Sequence, residues 1–453
     1  MGTYFQTHTS DMSASLSCSS VAQSIAQMET VVEKTSAHET SAAGEYSKIE
    51  VGSTLESLIT NLFTKRKYEP VIEIADELLG LHPKSFFLHN VLGESYAFIG
   101  ENQKAIVHFK IALELCSSAG NEHLRSSCMP NIYNNIGIAF KSIGFLDESE
   151  ANLTKAIDLD PLHASAYNNF GNLLNEKADL PGAQEKFLKA IDIEPSGYSA
   201  YWNLHSTVNK EETAKAIIEQ CLTHSPTFKD AIFTLAGMKA FSGNDSHLND
   251  LLSAGFADEP ILRSINWVLS LPKIPEIHYN RWSIFDRAIE LCDKSRPFYE
   301  YGVWMGDSFK YLMKSFNKGY GFDTFEGLPE DWGPVPKGTY SSFGKVPDIK
   351  GGEFIVGEFE HSLPRFFAEK RPFAGLINFD ADLYASTLCA LVHSKPVIDG
   401  KTVLIFDEFI INSDWENDEY RALNEFCEAN GFDYEVIAIS LYTKQVMVRL
   451  LGL

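Results

Sequence analysis

Two kinds of apolar spacing divide the chain. From about residue 55 to about residue 226, apolar and small residues recur three and four positions apart in short blocks, the spacing of one buried face on an α-helix. After about residue 281, continuous apolar runs alternate with helix-spaced stretches to the end. Runs at 298–303, 319–323, 353–357, 374–380, 401–407, 432–438 and 443–451 predict seven strands, and WSIFDRAIELC at 282–292 predicts a helix ahead of them. Such alternation builds a mainly parallel sheet with helices on both faces, because each parallel neighbour needs a crossover. FDYEVIAI and TKQVMVRLL lie too close together for a crossover and predict a C-terminal antiparallel hairpin. Between 240 and 280 the spacing blurs, and Pro260, Pro272 and Pro275 interrupt any long helix, so the domain joint is placed there. Residues 1–50 are rich in Ser, Thr, Ala and Glu and too poor in large apolar side chains to offset backbone ordering, except for helical spacing over Val21–Val32. The division is a disordered arm over 1–50, helical repeats over 51–245, a connecting segment over 246–280 and an α/β domain over 281–453.

The helical part is periodic. Gly137, Gly171 and His205 are separated by 34 residues each, and Pro161 and Pro195 keep the same stride. In YNNIGIAF and YNNFGNLL the glycine lets the first helix of a pair approach the second, which packs through Ser149, Leu153 and Ala156 in one copy and Ala183, Phe187 and Ala190 in the next. An earlier copy holds Gly93, Ala105, Phe109 and Ala112, and SSAGNEHLRSSCM reads as an insertion before the following copy. The pattern resembles the tetratricopeptide repeat, which implies an all-α superhelix of five or six units with degenerate ends. Such an array implies a protein partner or self-association.

Composition narrows the function classes. A chain of 453 residues is long enough for two or three domains. Its net charge of -23 repels phosphate backbones and argues against a general nucleic-acid role. Seven scattered cysteines without a CxxC pair fit a reducing compartment and argue against zinc. The first fifty residues lack the apolar core of a secretory signal, and no apolar run approaches the roughly 18 residues of a membrane span. The expectation is a cytoplasmic protein without a membrane span.

Candidate chemistry gathers at strand ends. Glu300, Gly302 and Gly306 follow from FYEYGVWMGD, a strand-to-helix turn where backbone must approach a ligand; the third glycine of GxGxxG is missing, which argues against a dinucleotide. Asp323 ends the next strand 21 residues after Gly302, near the spacing of a ribose-binding carboxylate. Phe325 in the following FEGLP is available to pack on the ligand, and Gly357 and Glu358 follow the third strand. Asp380 and Asp382 close the fourth strand, Asp407 and Glu408 the fifth. Four convergent carboxylates raise one another's pKa unless a cation compensates, and a hard divalent ion is the natural candidate.

GYGFDTFEGLP, FDADLYAST and IFDEF, in that order, resemble the macrocin and mycinamicin type of sugar O-methyltransferases. The resemblance covers the last third of the chain and implies a class I, Rossmann-like fold with a seven-stranded mainly parallel sheet. It implies S-adenosylmethionine held at Glu300, Gly302, Gly306 and Asp323, with adenine near Gly357 and Glu358. It further implies Mg2+ or another divalent ion on Asp380, Asp407 and Glu408, and a sugar or glycoconjugate hydroxyl as acceptor. Asp382 is a fourth ligand or the general base. Many relatives have Asp-Asp where this chain has Asp407 and Glu408, which alters the geometry of any ion there. Two rival readings are a repeat scaffold with an inactive transferase-like domain and a protein methyltransferase whose repeats capture its substrate.

Overall fold

The computed structural model describes residues 46–118 and 122–452; the Val21–Val32 segment and most of the expected arm lie outside them. The chain divides into two compact units, the first ending at Ala200 and the second spanning Tyr201–Leu453.

The first unit is built from α1 (Tyr46–Thr64), α2 (Tyr68–Leu79), α3 (Phe86–Phe98), α4 (Asn102–Ser118), α5 (Glu122–Ser142), α6 (Leu146–Leu159), α7 (Ala164–Glu176) and α8 (Leu180–Ile193). Side chains start three of these helices: Ser85 accepts from the N–H of Leu88 at 3.3 Å, His163 Nδ1 from that of Ala166 at 3.2 Å, and Asp179 from that of Gly182 at 3.0 Å. The repeat glycines do what the spacing predicts. A Cβ at Gly93 would lie 2.6 Å from the Phe109 ring, one at Gly137 2.7 Å from Leu153, and one at Gly171 2.4 Å from Phe187. Each second helix therefore seats a large side chain in the notch of the first, and Phe109, Leu153 and Phe187 are fully buried. Asparagines tie successive first helices together, Asn169 donating to Asn134 at 2.8 Å, and Asn134 in turn donates to its neighbour Asn135 at 3.3 Å. Residues 122–129 of the stretch read as an insertion lie in α5, which carries Pro130 within it.

Helix α9 (Tyr198–His205) straddles the division and is followed by α10 (Glu211–His224), α11 (Lys229–Phe241), α12 (Ser246–Leu251) and α13 (Pro260–Ser270). Here the repeat pattern changes partners. His205 stands in the glycine position, fully buried, with its ring edge-on to Tyr442 at 4.8 Å. Gly237 again makes a notch, but Ile265 fills it, 2.7 Å from where a Cβ would stand, with Leu441 at 3.5 Å. Pro260 does not break a helix but starts one, at a position where its missing N–H costs nothing. Leu262, Ile265 and Val268 then share one core with Leu404, Phe406 and Ile439. Arg263 reinforces the contact, pairing with Glu416 at 2.7 Å. The stretch expected to be a connector is thus part of the second unit's core, a role that blurred spacing does not announce.

The sheet has eight strands: β1 (Glu276–His278), β2 (Phe298–Tyr301), β3 (Gly319–Asp323), β4 (Gly352–Val356), β5 (Leu376–Phe379), β6 (Val403–Phe406), β7 (Asp433–Ser440) and β8 (Val446–Leu451). Their order is β1-β7-β8-β6-β5-β2-β3-β4, with β8 antiparallel to both neighbours and every other pair parallel. Strands β2 to β8 fall on the seven predicted runs. The eighth, β1, is a three-residue edge strand pairing with β7, too short and too polar to show a period. Between strands run α14 (Arg281–Leu291), α15 (Asp307–Met313), α16 (Phe359–Phe366), α17 (Tyr384–Ser394) and α18 (Glu419–Asn430). Four fully buried rings stack across neighbouring strands: Phe322 to Tyr301 at 4.8 Å, Tyr301 to Phe379 at 5.4 Å and Phe379 to Phe406 at 4.8 Å, all within 15° of parallel.

Candidate active site

Each ring of that row is followed by a residue singled out in the sequence. Ladder hydrogen bonds run one residue past the strands: Gly302 N–H to Phe322 O at 2.9 Å, Asp380 N–H to Tyr301 O at 2.8 Å and Asp407 N–H to Phe379 O at 2.9 Å. Asp323, Gly302, Asp380 and Asp407 therefore stand side by side at the carboxyl ends of β3, β2, β5 and β6, where an open parallel sheet forms its crevice.

Gly302 has φ +87°, and a Cβ there would lie 1.8 Å from the Asp380 carbonyl oxygen. No larger residue fits. The turn continues through Trp304 at φ +50° to Gly306 at φ +81°, which precedes α15. Asp323 clamps this turn: Oδ2 accepts from the N–H groups of Val303 and Trp304, both at 2.7 Å, and Oδ1 from Phe325 N–H at 2.6 Å. Three of about four lone-pair directions on the carboxylate are thereby used, so a ligand finds one acceptor direction rather than a pair.

A cavity of about 320 Å³ opens over these strand ends. Gly302, Asp323, Glu358, Asp380 and Asp382 line it, as do Trp304 and Tyr340, which the sequence did not single out. Glu300 is fully buried inside the sheet, accepting from Asn378 Nδ2 at 2.9 Å, and burial followed by Asp380 pushes its pKa up to about 8. Phe325 is also fully buried, edge-on to Phe354 at 6.3 Å, and supports the loop from beneath. Gly357, at φ +129°, bonds through its N–H to Asp323 O at 3.0 Å, and Glu358 opens α16 with His361 3.4 Å away.

The acidic residues differ in environment. Burial and the Asp407 carboxylate push Asp380 up to about 7. Asp382 is 6 % exposed at φ +60°, its Oδ1 has no hydrogen-bond partner among the described residues, and burial raises its pKa well above its ordinary value. Burial raises the Tyr340 phenol as well, with Asp382 next in effect. Asp407 goes the other way: burial would raise it, but Arg281 and the Gln445 hydrogen bond are among the groups that together outweigh burial and hold it below the ordinary range. Arg281 Nη2 lies 2.9 and 2.7 Å from the two Asp407 oxygens, and Gln445 Nε2 donates to Oδ1 at 2.6 Å. Lys444 Nζ stands 3.4 Å from Glu408 Oε2 and donates to Asn412 at 2.8 Å.

These contacts bear on the expected ion. Among the described residues no group of three or more His, Cys, Asp or Glu side chains is arranged to hold a metal, so Asp380, Asp407 and Glu408 are not assembled as a ligand set. The inference from four carboxylates to a divalent ion assumed no cation of the chain's own. Arg281, 126 residues before Asp407, and Lys444, in the turn of the final hairpin, supply two. Neither belongs to a motif, and only the tertiary fold brings them in.

The tetratricopeptide repeat family matches residues 130–161. Among curated protein sequences none matches this chain. Solved structures similar to it include the O-methyltransferase NovP, at 16 % identity over 37 % of this chain and 78 % of that one with a TM-score of 0.30. The calicheamicin methyltransferase CalS11 matches at 18 % identity over 50 % and 93 % with a TM-score of 0.30. YrrB, a tetratricopeptide protein with an unusual peptide-binding site, matches at 18 % identity over 39 % and 88 % with a TM-score of 0.30.

Proposed function

We propose that the second unit is an S-adenosylmethionine-dependent O-methyltransferase acting on a hydroxyl of a sugar or glycoconjugate, and that the repeats recruit a protein partner or a second copy. The observation that carries the reading is the meeting of Gly302 with Asp380. A strand end is stripped of its side chain to within contact of a neighbouring backbone, beside a clamped turn and a cavity large enough for a small-molecule ligand. Bound S-adenosylmethionine supplies an electrophilic methyl group on a sulfonium.

The chain's own groups do the rest. Gly302 brings its strand end against the Asp380 backbone at the cavity wall, and Asp323 keeps the turn over it rigid while offering one acceptor direction. Trp304 and Tyr340, with ring centroids 5.8 Å apart, wall the cavity. Asp380, pushed up to about 7, suits a base working near neutral pH, and Asp382 stands beside it in the cavity wall. Titration calorimetry of the full chain tests the reading: S-adenosylmethionine binds, and S-adenosylhomocysteine binds as well. No heat from either, with the protein folded, favours the scaffold reading instead.

A further inference from the structure

We infer that the acidic cluster at the ends of β5 and β6 carries its own counter-cations, Arg281 and Lys444, and that the transfer site works without a divalent ion. The inference rests on the methyl-transfer reading for its chemistry, but its geometry stands apart. Asp407 is 1 % exposed and Arg281 6 %, so the pair is shielded from water and held from both oxygens. Gln445 takes a further lone pair on Oδ1. Arg281 is the first residue of α14, whose start is fixed by Asn280 accepting from Ser283 N–H at 2.8 Å. The guanidinium cannot vacate the site by losing its proton, and leaving it buried without its carboxylate is costly. Lys444, 5 % exposed, is anchored to Asn412 beside Glu408, and the Glu408 N–H is bonded to Glu419 at 3.0 Å. A hard cation needs several oxygen donors at close range. Here two of the carboxylates that would supply them, Asp407 and Glu408, already face Arg281 and Lys444.

The consequence for the reaction is that a carboxylate, not an ion, activates the acceptor. Asp382 is the residue so placed: buried, lining the cavity, with an oxygen that has no hydrogen-bond partner among the described residues. The acceptor oxygen forms the new bond to the methyl carbon, the C–S electron pair leaves with sulfur, and the hydroxyl proton passes to Asp382.

Manganese, which reports on magnesium sites, tests this with the full chain. The paramagnetic resonance signal of free Mn2+ is followed as wild-type protein is added, and S-adenosylmethionine calorimetry is run in chelator and in excess Mg2+. The expected result is an undiminished Mn2+ signal and the same S-adenosylmethionine affinity in both buffers. Arg281→Met with Lys444→Met should create a Mn2+ site that Asp407→Asn then removes. Uptake of one Mn2+ by the wild-type chain, lost in Asp407→Asn, would overturn the proposal; so would a folded double variant that gains no site. The wild-type titration decides even where the variants fail to fold. If S-adenosylmethionine does not bind at all, the transferase reading falls, while the Mn2+ result still decides which cations the cluster holds.

Discussion

At the scale of single residues, Asp323 and Gly302 are the most exposed to test. Asp323→Ala removes three charge-assisted backbone bonds and the remaining acceptor direction. S-adenosylmethionine affinity should fall about ten- to a hundredfold, the equivalent of about 1.5–3 kcal/mol, with faster amide exchange at Val303 and Trp304. Unchanged calorimetric affinity in a folded variant would remove Asp323 from the site. Gly302→Ala forces a Cβ against the Asp380 carbonyl at positive φ and should cost about 1–3 kcal/mol in denaturant unfolding. Glu300 gives a pH test. An unfolded glutamate titrates near 4.3, and the folded group titrates at about 8. The folded state thus binds more protons across that interval, so stability is full below the unfolded value and is lost as pH rises through about 8. Glu300→Gln should therefore raise the melting temperature at pH 8 more than at pH 5; equal shifts at both would show that Glu300 is not held neutral.

At the scale of elements, the repeat glycines and the strands were legible because each has a period. Gly137 and Gly171 announce their notches by stride, and the buried strands by apolar runs ending in acid. β1 was not legible, because Glu276–His278 is paired through its backbone at an edge and carries no apolar signature. Arg281 and Lys444 were not legible for a deeper reason: their partners are set by strand order, which joins residues far apart in sequence. Asp323 ends β3 as its apolar run predicts, while its local duty, clamping the turn, depends on backbone direction that composition does not encode. The notch itself makes a prediction. Gly171→Ala should destabilise the repeats by about 1–3 kcal/mol by overpacking Phe187, and Phe187→Leu in the same chain should recover part of that loss in a double-mutant cycle.

At the scale of the whole molecule, the division at Ala200–Tyr201 reassigns the later helices. A fragment beginning at Arg281 keeps every predicted motif yet discards Leu262, Ile265 and Val268, which share the sheet's core. A fragment beginning at Tyr198, which keeps α9 whole, should be soluble and melt cooperatively, whereas one beginning at Arg281 should aggregate. A soluble, cooperatively folded Arg281 fragment would show that α11 and α13 are dispensable supports.

The stacked rings carry one more consequence. Along β3, β2, β5 and β6, Phe322, Tyr301, Phe379 and Phe406 each immediately precede Asp323, Gly302, Asp380 or Asp407. Sliding any one strand by a single residue toward the crevice would thrust a bulky ring into it, and a slide the other way would press an acid or a bare glycine into the oily layer beneath. Either slide leaves its fault unrelieved. The sheet thus proofreads its own alignment as it folds, and only the register that completes the row of rings also assembles the row of acids above it.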